Sequence, residues 1–210
     1  MATMVYELHT AQTPKGVPKY NVLKSKDLPS SLRLSLKLSR SPTISAKFFW
    51  PDDFEVQYML KKKAGDLGCV GAYLIMTGRA ADALHDLLEP HGEFLPVYCK
   101  KDHTLKLFRV MTRPVGALDE TKAVIKYLDD EKKQPFHVEE HWFIEEKVKD
   151  LPIFKLPETS FTYVTEPFLE RVRENNLKGF GFRKLWSSEL GLLHSKDLYP
   201  PYPAGEDINW

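Results

Sequence analysis

Nowhere in this sequence do about 18 apolar residues follow one another, the length a membrane-crossing helix needs. The first sixteen residues, MATMVYELHTAQTPKG, lack the basic opening and apolar centre of a secretory signal. A soluble cytoplasmic protein with no membrane partner is the expectation. Cysteine is scarce: Cys69 and Cys99 are the only two in 210 residues. That excludes a disulfide framework and a CxxC-type metal or redox site, and reads as two reduced, partly buried thiols. Excess charge is also missing, since 30 Lys and Arg against 29 Asp and Glu leave a net +1. Nothing in that balance calls for a nucleic-acid partner.

The charge is unevenly spread. Residues 1–115 hold 17 Lys and Arg against 11 Asp and Glu, a net +6; residues 116–210 hold 13 against 18, a net −5. The second half is therefore expected to offer an acidic face to a basic partner, the alternative being an ordinary solvated surface. A hydrophobic content of 42% suffices for a real core. The character of the chain changes after Pro114 and Gly116, which suggests two subdomains. Residues 1–115 are β-rich with one helix, and residues 116–210 are an acidic α+β unit with a Pro-rich tail.

β-type alternation runs through MVYEL, KYNVL and LRLSLKLSR, where Leu32, Leu34, Leu36 and Leu38 share a face. Pro14, Pro18, Pro29 and Pro42 punctuate these runs. CVGAYLIM reads as one buried strand. The next segment, TGRAADALHDLLEPHG, reads as a helix, with Thr77 as N-cap, an apolar stripe through Ala80, Leu84 and Leu88, and a stop at Pro90 and Gly92. EFLPVYCKKDHTLKLFRVM has the pattern of a hairpin turning at KKDH. Strands are expected at AVIKYL, PFHVEEHWFIEE and PIFKL. The last helix is TEPFLERVRENN, with Thr165 as N-cap, Pro167 in its first turn and Phe168, Leu169 and Val172 on its buried side. Glu166, Glu170 and Glu174 would lie on its exposed face. The fold class that follows is α+β, mostly antiparallel strands with two or three helices.

His137-x-x-Glu140-His141 matches a metalloprotease zinc pattern letter for letter. That chemistry needs both histidines on one helical face, with the glutamate aimed at a metal-bound water. Phe136, Val138, Trp142 and Ile144 alternate with His137, Glu139, His141 and Glu145, which argues for a strand. Along a strand, 137 and 141 lie about 13 Å apart, too far to grip one ion. Neither Gly179-x-Gly181 nor the Ser187, Ser188, His194 and Ser195 group forms a catalytic or nucleotide motif. Lys61-Lys62-Lys63 reads as a solvated basic run. No catalytic residue, metal or cofactor is expected.

Four fragments occur in order: Leu95-Pro96-Val97, Ala117-Leu118-Asp119, Pro152-Ile153-Phe154, and Leu177-Lys178-Gly179-Phe180-Gly181-Phe182. With their flanks, over roughly residues 70 to 186, they resemble the bacterial polymorphic-toxin immunity protein family numbered eleven, formerly a domain of unknown function typified by a myxobacterial protein. The resemblance implies a small cytoplasmic protein that binds and neutralises a cognate toxin domain by protein–protein interaction, without catalysis. The candidate contact residues are Asp129, Asp130, Glu131, Glu139, Glu145 and Glu146, with Trp142 or Trp186 as aromatic anchors if exposed. Two other readings are a scaffold or regulatory interaction protein docking through YPPYP, and a zinc hydrolase using His137 and His141.

Overall fold

The structure is a computed structural model that describes residues 2–10, 23–25, 50, 54–58, 65–70, 73–128, 131 and 135–193. The Leu32 to Leu38 run, Lys61 to Lys63, Asp129, Asp130 and the Pro-rich tail lie outside the described residues.

The architecture is α+β with mostly antiparallel strands. A five-stranded sheet has the order β10 (Ile153–Phe154), β11 (Tyr163–Val164), β1 (Met4–Thr10), β12 (Phe180–Ser187) and β13 (Gly191–Leu192). A four-stranded sheet has the order β4 (Leu67–Val70), β5 (Tyr73–Met76), β7 (Lys106–Val110) and β6 (Gly92–Pro96). Two ribbons complete the described strands, β2 (Leu23–Ser25) with β3 (Val56–Tyr58), and β8 (Val124–Tyr127) with β9 (Pro135–Glu140). Among the described residues the helices are α1 (Gly78–Leu88), continued by a 3₁₀ turn at Glu89–His91, α2 (Glu145–Val148) and α3 (Glu166–Glu174).

Strand periodicity explains how the layers stack, because alternate side chains leave opposite faces of a sheet. Tyr6 and Leu8 of β1 enter the main core with Phe180 and Phe182 of β12, whereas Val5 enters a second core with Tyr163, Leu185 and Trp186. The four-stranded sheet divides likewise. Leu74, Met76, Phe108 and Val110 face the main core, and Tyr73, Ile75 and Leu107 pack a third cluster with Trp50, Phe54 and Val56. The main core also takes α1, through Ala80, Leu84 and Leu88, and α3, through Phe168, Leu169 and Val172. The main core thus draws on both sheets and both long helices, and β1, the earliest strand, sits between β11 and β12.

Local signals account for most boundaries. Thr77 accepts the Ala80 N–H at 3.3 Å and starts α1, as its position predicts. Past α3, Asn176 takes a φ of 51° and Gly179 one of 89°, the left-handed geometry that lets the chain turn from helix into β12. EFLPVYCKKDHTLKLFRVM forms the expected hairpin, β6 against β7 with Phe94 opposite Phe108.

Two expectations need correction. CVGAYLIM is not one strand: it supplies part of β4 and all of β5, which pair antiparallel from Leu67↔Met76 to Val70↔Tyr73. Each half is apolar enough for a buried strand, so periodicity alone could not show the reversal. PFHVEEHWFIEE is a strand only to Glu140. Beyond it the backbone turns to the 117–119 loop: Asp119 N–H donates to the Trp142 carbonyl at 2.7 Å, and Ile144 N–H to that of Ala117 at 2.8 Å. With new partners the alternation changes phase. His141 and Phe143 are buried, Ile144 is exposed, and α2 begins at Glu145.

Candidate partner-binding surface

The acidic candidates divide between two places. Glu139 lies on β9 and pairs with Lys126 of β8 at 2.6 Å. Glu131 is exposed in the connection between these strands. Glu145 and Glu146 open α2, where Glu146 pairs with Lys149 at 2.7 Å. Glu145 is fixed more firmly. Its Oε1 accepts the Thr3 hydroxyl at 2.7 Å, and that bond, followed by one from Ser188, holds its carboxyl below the usual range. Thr3 comes from the chain start and Ser188 from the β12–β13 turn, so three distant segments meet at this carboxylate.

Trp142 is half-buried against the second core, with Lys122 Nζ 5.6 Å from its ring centroid. Gly191 packs closely on the same ring. Its φ is 70°, and a Cβ there would lie 2.9 Å from Trp142 Cζ3, so both backbone conformation and space require glycine. Trp186 is 6% exposed and belongs to the core, which removes it as a surface anchor. The structure therefore brings together Trp142, Glu145 and Glu146, and places Glu131 and Glu139 on the ribbon. Sequence reasoning passed over Leu190 and Val115 and read Ile144 as part of a strand's apolar face; all three are exposed. The one available signal was an apolar residue inside the turn sequence SSELG.

The histidines of the zinc pattern have other surroundings. His137 is in a strand, so the helical face that the metalloprotease chemistry needs is not formed. His141 is 2% exposed, and its Nε2 lies 3.1 Å from the Tyr163 hydroxyl, which is itself 2.9 Å from Thr159 Oγ1. Burial lowers His141 to about 4 and pushes the Tyr163 phenol well up, so both stay neutral near pH 7. Next to them Glu7 on β1 pairs across strands with Arg183 on β12 and lies 2.8 Å from His9 Nε2. Burial works to raise Glu7, but His9 and Arg183 outweigh it and keep the carboxylate charged. This polar layer neutralises itself inside the sheet.

Two further expectations change at the last helix. Glu166 is not simply on the outer face of α3: its Oε2 accepts the Met4 N–H at 3.0 Å and ties the helix start to β1. Thr165 stands at the N-cap, yet its hydroxyl donates to the Leu151 carbonyl at 2.9 Å instead of capping the helix.

Among the described residues, no helix is long and apolar enough to cross a membrane. No curated protein matches the chain. The family model for the immunity protein family (Imm11) matches residues 40–186, well over half the chain, and starts further towards the N-terminus than the motifs of the sequence resemblance. It spans the four-stranded sheet, α1, α3 and nearly all of β12. The chain belongs to the immunity protein family (Imm11).

Proposed function

We propose that the protein acts in the cytoplasm by binding a cognate toxin domain and covering its active site, without itself catalysing a reaction. Family membership is the observation that carries this reading. The distribution of charge supports it: the half from residue 116 onward is net −5, and the described acidic candidates lie on the β8–β9 ribbon and on α2. Asp129, Asp130, Glu131, Glu139, Glu145 and Glu146, with Trp142, are the proposed contact residues. Affinity would come from a few desolvated apolar anchors, and selectivity from the surrounding carboxylates. Such an interface needs no cofactor and takes a protein partner, not nucleic acid or a membrane.

Co-expression with the toxin domain encoded beside its gene tests the reading. Cells making both proteins survive and yield a complex that co-purifies. Death despite full expression of the soluble protein, with no complex recovered, refutes it.

A further inference from the structure

Among the described residues the exposed large apolar side chains are Tyr98, Val115, Leu128, Ile144 and Leu190. Single exposed apolar residues are ordinary. Here three of them, Val115 at 80%, Leu190 at 74% and Ile144 at 40%, lie on segments that touch. The Ile144–Ala117 bond brings residue 144 to within two positions of Val115. Gly191, beside Leu190, packs on the Trp142 ring. Glu145, beside Ile144, is bonded to Ser188 in the same turn as Leu190. Residues 115–122, 142–150 and 187–191 are thus joined by these contacts, next to the end of the β8–β9 ribbon where Val124 stands opposite Glu140.

The border of this face is acidic. Asp119, Glu120, Glu145, Glu146, Asp150 and Glu189 are set against Lys122, Lys147 and Lys149, and two of these lysines are engaged, Lys122 with Asp119 at 3.2 Å and Lys149 with Glu146. Exposed apolar residues on three touching, sequence-distant segments, next to a half-buried tryptophan and among carboxylates that outnumber the lysines, have the composition of a protein-binding surface. We infer that this face docks the toxin domain, and that the toxin presents a lysine- or arginine-rich surface around an apolar cleft that receives Leu190 and Ile144. The inference rests on the neutralisation reading and locates its contact. Glu145, already fixed by Thr3 and Ser188, loses little freedom on binding, whereas Glu146 and Glu189 act mainly on the approach of the basic partner.

The test compares this face with Tyr98, which is exposed just past β6 in the four-stranded sheet. Binding kinetics of the purified toxin domain are measured for Leu190→Asp, Ile144→Asp, the pair Glu146→Lys with Glu189→Lys, and the control Tyr98→Asp. Thermal melts verify that each variant is folded. Leu190→Asp and Ile144→Asp are expected to weaken binding at least about tenfold, chiefly through faster dissociation. The charge-reversed pair slows association several-fold at low salt, and the difference fades at high salt. The control variant binds like the wild type. If only the control variant loses binding, or if all variants bind like a protective wild type, docking is elsewhere and this inference falls while neutralisation stands. A wild-type protein that neither binds nor protects takes both down. A dimer broken by Leu190→Asp with toxin binding unchanged makes the face a self-interface, and faster proteolytic trimming of residues 194–210 in that variant, again with binding unchanged, makes the chain's own end its occupant; either result overturns the inference.

Discussion

His141 shows how little a side chain's type says about its job. In the sequence it stands four residues from His137 in a metal-like spacing, and the alternation places it on a polar, solvated side. In the fold it is buried against Phe143 and Tyr163, neutral, with Glu7 opposing the effect of burial and Arg183 and His137 reinforcing it. A folded-state value of about 4 against an ordinary 6.5 means that the unfolded chain takes up the proton first as pH falls. Stability should therefore be complete above pH 6.5 and drop by roughly 3 kcal/mol on the way to pH 4 from this residue alone. His141→Gln retains a partner for Tyr163 and cannot titrate. Urea unfolding at pH 7 and at pH 4 should show the wild type losing more than the variant by that amount. Equal losses would remove the buried-neutral assignment. None of this was legible beforehand, because alternation reports a face only while the strand continues, and the strand ends one residue before His141.

At the scale of elements, signals confined to a few neighbouring residues were readable. The Thr77 cap, the Leu84 and Leu88 stripe, the Pro90 and Gly92 stop and the α3 apolar face all follow from helix period and capping chemistry, and each is where it was expected. The Phe94 to Phe108 hairpin was visible for the same reason. The reversal between β4 and β5 was hidden by two short, wholly apolar runs, and the end of β9 by hydrogen bonds to a loop some twenty residues earlier. Gly92 marks how tightly the β6–β7 pairing is built: a Cβ there would lie 2.2 Å from the Arg109 carbonyl oxygen and 2.4 Å from the Phe108 ring. Gly92→Ala is expected to cost about 2 kcal/mol or more, since backbone and a core ring must both move. A denaturation midpoint unchanged from the wild type would show that the hairpin is looser than this geometry.

At the scale of the whole molecule, long-range strand pairing closes the described fold. β1, from the first ten residues, lies between strands from beyond residue 150, and Thr3 next to it fixes Glu145 on the proposed docking face. The sequence showed the charge asymmetry between the halves but not this closure, because strand pairing across more than 150 residues leaves no trace in local periodicity. The consequence for function is a preformed surface: its carboxylates and apolar side chains are carried by elements anchored in the second core, so the proposed mechanism is occlusion without chemistry. Titrating purified toxin domain with the purified protein tests that most directly. Toxin activity should fall linearly to nothing at one equivalent, and the toxin released by denaturation should have its original mass. Loss of activity at a small fraction of an equivalent, or a changed toxin mass, would mean that the protein turns over its partner, and would contradict the account.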